Sequence, residues 1–120
     1  MRYAKLKAEG FDVVYFWPSS FTWENRERMA ATAVQYSVPT ISDTSDDARA
    51  GVLLSYGVDY DLLLQSTAEY VDKILRGAKP ADLPLQQPTK LQVVINLRIA
   101  KALGLRIPTS ILIRADEIIE

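Results

Sequence analysis

Phe11-Asp12-Val13-Val14-Tyr15-Phe16-Trp17 is a nearly unbroken run of β-branched and aromatic residues, stopped by Pro18-Ser19-Ser20. Such a run reads as a short parallel strand covered on both faces. Downstream, Thr22 can cap a helix whose first turn carries Glu24 and Glu27, acidic residues well placed against the helix dipole. Met29, Ala33 and Tyr36 then keep helical spacing. Val38-Pro39-Thr40-Ile41-Ser42 reads as a second strand. Strand, helix and strand within about 30 residues form a right-handed βαβ unit, and that unit sets the class as α/β.

Working outward, Asp46 and Asp47 fall in a polar turn or short helix, and Gly51 precedes a third apolar strand, Val52 to Gly57. From Asp61 to Arg76 the apolar residues Leu64, Ala68, Val71, Ile74 and Leu75 recur at three- and four-residue steps. That periodicity predicts an amphipathic helix, with Gly77 as its left-handed terminator. Pro80, Pro84 and Pro88 make the stretch from Lys79 to Pro88 an extended connector. Leu91 to Ile95 reads as a fourth strand, and Asn96 can cap a short helix that ends at Gly104. After Ile107-Pro108-Thr109 the spacing of Ile111, Leu112, Ala115, Ile118 and Ile119 predicts a last amphipathic helix. The expected architecture is a small, mostly parallel sheet of about four strands.

The 120 residues suffice for one domain with a real core, since a chain this long removes about two thirds of its extended surface from water. There is no Cys and no His, which excludes thiolate zinc sites, haem attachment, imidazole acid/base chemistry and the Ser-His-Asp arrangement. Fourteen basic against fifteen acidic residues leave no basic footprint for a nucleic-acid backbone. The opening Met1 to Gly10 has basic residues but lacks the apolar core of a secretory signal, and no apolar run approaches the ~20 residues that span a bilayer. As written, the chain reads as soluble.

In open α/β sheets, ligands collect beyond the carboxyl ends of the strands, where helix N-termini direct free N–H groups outward. Three such ends stand out: Trp17-Pro18-Ser19-Ser20, Ser42-Asp43-Thr44 and Ser55-Tyr56-Gly57. They combine hydroxyls and amides suited to a carboxylate, an Asp suited to an ammonium, and aromatic faces suited to an apolar or cyclic group. This is a recognition set, with no nucleophile and base in view, so no enzyme is expected. Plainer roles stand beside it: Ser42-Asp43-Thr44 is also an ordinary cap and turn, and Trp17 and Tyr56 suit a core or an interface. Asp46 with Asp47, and Asp59 with Asp61, read as solvated turns, without the further oxygen ligands of a calcium loop.

The segment Tyr70-Val71-Asp72-Lys73-Ile74-Leu75-Arg76-Gly77-Ala78-Lys79-Pro80-Ala81-Asp82-Leu83-Pro84, with Gln87-Pro88-Thr89-Lys90 and Val94-Ile95-Asn96-Leu97, resembles a known family. The likeness is to ABC-transporter substrate-binding proteins of the tryptophan/tyrosine-type group. Ala100 to Leu105, Ile107-Pro108 and Ala115 to Glu120 continue it to the last residue. The resemblance implies a type I periplasmic-binding-protein-like fold, of which this chain matches only the C-terminal part, a truncated parallel-sheet lobe. It divides residues 1–120 into a second-lobe βαβ unit and hinge strand (11–57), a first-lobe-docking helix with a Pro-rich connector (58–88), and a return strand with C-terminal helices (89–120).

By the same likeness the function is capture of a small solute, an amino acid or other small organic anion, for an ABC permease, without catalysis and without a cofactor. The ligand-contacting residues carried over by position are Trp17, Ser19, Ser20, Asp43, Ser55 and Tyr56. The location implied is periplasmic, or cytoplasmic if the chain is expressed as written. With its lobe partner absent, the face Leu64, Ala68, Val71, Ile74 and Leu75 lacks its cover, and the rival expectation is an interaction module that forms a homodimer through it.

Overall fold

The computed structural model describes residues 3–88 and 90–120. Met1, Arg2 and Thr89, which belong to the N-terminal and connector stretches quoted above, lie outside the described residues. Five strands form a single sheet in the order β1-β2-β3-β4-β5: β1 Val14–Tyr15, β2 Thr40–Ser42, β3 Leu54–Val58, β4 Leu91–Asn96 and β5 Glu117–Ile119. The pairs β1·β2, β2·β3 and β4·β5 are parallel, and only β3·β4 is antiparallel. The helices are α1 Tyr3–Ala8, α2 Ser20–Gln35, α3 Ser45–Arg49, α4 Tyr60–Leu75, α5 Leu97–Ala102 and α6 Thr109–Leu112. A short 3-10 turn, Pro80–Asp82, opens the connector.

One face of the sheet holds the core. Register places Val14, Thr40, Ser42, Ser55 and Val94 on that face, and the period-two alternation adds Phe16, Leu53 and Asn96. All of these are buried except the partly buried Val14. Phe16 packs with Tyr3 of α1, with Met29, Ala30 and Ala33 of α2, and with Val38 and Val52. Complete burial of a Phe among aliphatic side chains is worth several kcal/mol, so this cluster anchors α1 and α2 to the sheet. The N-terminal helix has no counterpart in the sequence reading.

The other face is bare along β1 and at the strand ends, although Ile95 of β4 is fully buried on it, which corrects the expectation of a first strand covered on both sides. Tyr15, Trp17 and Tyr56 point outward there, with Trp17 72% and Tyr56 56% exposed. The four-residue α6 borders an open groove there, along Leu54, Tyr56 and Val93. The first strand is also shorter than the apolar run suggests, because only Val14 and Tyr15 pair with β2.

Helix α4 stands apart. None of its residues is buried, and Leu64, Val71, Ile74 and Leu75 are all exposed, Leu75 to 81%. The helix has sound ends nonetheless. Asp59 caps it by accepting from the Leu62 N–H at 3.2 Å, and Gly77 closes it at φ +101°. Its projection helps give the chain a long dimension of 58 Å against 32 and 21 Å.

Two further corrections concern ends of elements. The cap of α2 is Ser19 rather than Thr22: its extended backbone lets Oγ accept from the Thr22 N–H at 3.1 Å, while the Thr22 hydroxyl turns back to the Trp17 carbonyl. The helix therefore starts earlier and its first turn carries no acid. The predicted last helix stops at Leu112, and Glu117-Ile118-Ile119 instead pairs with Val94, Ile95 and Asn96 as β5. Asp116 makes this switch by donating its own N–H to the Val93 carbonyl and accepting the Val93 N–H on its carboxylate. Arg49 of α3 then holds Glu117 through a two-pronged pair at 2.7 and 3.3 Å.

Candidate functional site

Because β1, β2 and β3 run parallel, their carboxyl ends meet at one edge of the sheet. Carrying the register on by one or two residues aligns Trp17, Asp43 and Tyr56 in a row on the bare face, and Tyr56 pairs directly with Val93 of β4. The ring of Trp17 meets Tyr15 edge-on at 6.0 Å. Asp43, half-buried between the two aromatic positions, has its Oδ1 sealed from solvent without a hydrogen-bond donor among the described residues. The Tyr15 phenol is pushed above its ordinary range, first by burial and then by the negative charge of Asp43.

The other three sequence candidates divide. Ser19 and Ser20 stand exposed at the start of α2, where the free N–H groups of the first turn and the positive end of the helix dipole lie. The Ser19 hydroxyl is engaged in capping. Ser55 pairs with Ser42 and Val94 on the opposite, core face, 1% exposed, its Oγ without a partner among the described residues. The structure thus brings Trp17, Asp43 and Tyr56 together, sets Ser19 and Ser20 beside them, and places Ser55 behind the row.

Next to this row lies a crevice of about 370 Å³ between α2, α3 and α4, which the sequence reading did not single out. Trp23, Arg49 and Tyr60 face it, with Pro18, Thr44 and Leu64. Arg26 lies over the Trp23 ring at 4.2 Å and donates to the Trp23 carbonyl at 2.7 Å, fixing the indole by a cation–π contact. Trp23 and Tyr60 sit in the first turns of α2 and α4. An aromatic residue in the first turn after a cap, beyond a strand end of an α/β sheet, is the signal that would have found them.

Beneath the crevice, Asp47 of α3 is buried. Burial pushes its carboxyl up, while the hydroxyls of Thr44 and Ser42 and the Arg26 charge pull the other way. No group of three or more metal-ligating side chains occurs among the described residues. What the edge offers is a desolvated carboxylate, aromatic faces, hydroxyls and helix-end amides, a set that holds a molecule in place rather than one that breaks its bonds.

Comparison with known proteins bears on the family and the fold. The family described as ABC transporter substrate binding protein matches residues 4–119. A conserved domain protein from Vibrio cholerae is similar in structure, with a TM-score of 0.84 and 31% identity over 97% of this chain and 39% of its own. An ABC domain from Streptococcus pneumonia in complex with L-Trp superposes with a TM-score of 0.82 and 25% identity, over 98% of this chain and 42% of its own. The ligand-free, open form of a Clostridium difficile substrate-binding protein with adhesive properties shares the fold, at a TM-score of 0.70 and 24% identity over 98% of this chain and 39% of its own. No curated protein matches the sequence. The chain therefore spans 39 to 42% of the length of these structures. With an α/β fold and a family match over almost all its residues, this chain belongs to the ABC transporter substrate-binding proteins.

Proposed function

We propose that this chain forms one wall of a solute-binding cleft and receives a small aromatic amino acid on the row Trp17, Asp43 and Tyr56. The observation that supports the reading is the position of Asp43, in register between the exposed Trp17 and Tyr56, with a carboxylate oxygen that has no donor among the described residues. A buried acceptor left unpaired is costly, and an ammonium group satisfies it with a charge-assisted bond. The aromatic faces of Trp17 and Tyr56 take an apolar side chain, and Ser19 and Ser20 with the first-turn amides of α2 receive a carboxylate. Ser55 supports the row from behind. The L-Trp held by the Streptococcus relative is in keeping with this solute class.

In the whole protein the captured solute passes to an ABC permease in the periplasmic setting of the family. Enclosing most of a solute takes walls on both sides, so this chain by itself binds weakly. Titration of isotope-labelled protein with L-tryptophan, followed by NMR, tests the assignment. The Trp17 indole N–H and the amides of Asp43 and Ser20 are expected to shift together, and shifts confined to another surface would refute it.

A second reading, self-association through α4, is favoured by one observation: the helix buries no residue although Leu64, Ala68, Val71, Ile74 and Leu75 line one face. Light scattering across a concentration series decides it, because a constant monomer mass removes the reading.

A further inference from the structure

The five glycines of this chain have two different reasons to be glycine. Gly10, Gly51, Gly77 and Gly104 have positive φ, a backbone conformation that favours glycine. Gly57 does not; its backbone suits any residue, and what it requires is space. A Cβ at Gly57 would stand 1.9 Å from the Asp43 carbonyl oxygen, 2.7 Å from its carbon and 3.0 Å from the Asp43 Cα. The chain leaving β2 therefore lies directly on β3 just past their last pair, Ser42 with Ser55.

On the reading that the strand-end row holds an amino acid, we infer that Gly57 is the positioning residue of the site: its missing side chain lets the Asp43 backbone rest on β3, and this fixes where the Asp43 carboxylate meets the ligand ammonium. Asp43 is the residue in need of such control. It follows the end of β2 and precedes α3, outside both ladders, so no sheet hydrogen bond sets its position. The contact with Gly57 is with backbone atoms, which cannot swing aside as a side chain can. Any side chain at position 57 must move the Asp43 peptide by about 1.5 Å to restore ordinary contact distance, enough to spoil a charge-assisted hydrogen bond. The three atoms nearest to such a Cβ all belong to Asp43, and none to Trp17 or the start of α2. The ammonium end of the site should therefore depend on Gly57, and the aromatic end should not.

The test compares L-tryptophan with indolepropionate, the same molecule without its amino group, by NMR titration of the intact chain. For the wild type, L-tryptophan is expected to bind more tightly. In Gly57→Ala its affinity should fall about tenfold or more, to the level of indolepropionate, whose own affinity changes less than about twofold. The double variant Gly57→Ala with Asp43→Asn should be no weaker than Asp43→Asn alone, since both remove one interaction. Equal losses for the two ligands, or additive losses in the double variant, overturn the positioning role. Should Gly57→Ala not fold, Asp43→Glu puts the same question: the charge is kept but displaced by one methylene, so discrimination should vanish, and its retention overturns the role. A wild type that binds neither compound, or binds both equally, refutes the amino-acid reading itself and the role of Gly57 with it.

Discussion

Removing the side-chain amide of Asn96 tests how the three layers of this lobe are joined. Asn96 is 4% exposed at the end of β4, and its amide makes two bonds. Nδ2 donates to the Ala48 carbonyl of α3 at 2.9 Å, and Oδ1 accepts from the Ile99 N–H at 3.2 Å, capping α5. In Asn96→Ala the lost cap costs about 1 kcal/mol. The Ala48 carbonyl loses one of its two donors and keeps the Gly51 N–H at 3.2 Å, so the lost hydrogen bond adds about 0.5–1.5 kcal/mol. The sum is about 1.5–2.5 kcal/mol of unfolding free energy, or a fall in Tm of roughly 6–10 °C for a domain of this size. Urea unfolding followed by circular dichroism reads the loss directly. Asn96→Asp is the informative companion, because it keeps the cap acceptor but sets a carboxylate against the Ala48 carbonyl, and it should be no more stable than the alanine variant. A loss below about 0.5 kcal/mol for Asn96→Ala would show that α3 and α5 hold to the sheet without this bridge, and would refute the reasoning.

Other expectations follow from the same structure. The Tyr3 phenol is buried with no partner among the described residues, and burial pushes its pKa up to about 12. Tyr3→Phe should therefore be neutral or stabilising by about 1 kcal/mol in thermal melts at neutral pH. The unfolded chain releases this proton near its ordinary value of 10 while the folded chain retains it, so wild-type stability should decline as pH rises from about 10 to about 12, and the Phe variant should decline less. Arg49→Ala should loosen β5, increasing hydrogen exchange at Ile118 and Ile119. Its effect on global stability should stay below about 1 kcal/mol and shrink in salt, because the pair with Glu117 is partly exposed. The Arg49 contact holds the Glu117 carboxyl below its usual range, so that contribution is present at neutral pH and is lost as pH falls through the lowered pKa. Leu75→Lys on α4 should cost less than about 0.5 kcal/mol, whereas Phe16→Ala in the core should cost about 3–5 kcal/mol; a large penalty at Leu75 would mean that α4 is covered in solution.

Much of this architecture could be read locally. Helix α4 was legible because one apolar spacing repeats from Asp61 to the left-handed Gly77, whereas Asp59, read as a solvated turn, proves to be its cap. The βαβ unit was legible for a similar reason, since β-branched runs flank a helix with its own cap. The last helix was misread because Ile111 to Ile119 satisfies a helical spacing almost as well as it satisfies a short helix, a turn and the alternating strand Glu117-Ile118-Ile119. Hydrogen bonds to Val93 through Asp116 decided between them, and those lie more than twenty residues away in sequence. Helix α1 was missed for want of any long periodic pattern; its six residues are held by one buried ring, Tyr3.

For the site, the sequence by itself determined the chemistry on offer: no imidazole, no thiol, and strand ends supplied with Asp, Ser, Trp and Tyr. It also determined that these ends would gather at one edge, since parallel strands admit no other arrangement. Only the tertiary structure decided which way each side chain points and what lies against it. A step of one residue along a strand reverses the face, so Ser55 and Tyr56, adjacent in the chain, end on opposite sides of the sheet. The contact of Gly57 with Asp43, and the bare faces of the sheet and of α4, belong to that level too. Close approach and exposure depend on residues distant in the chain, and no local pattern encodes them.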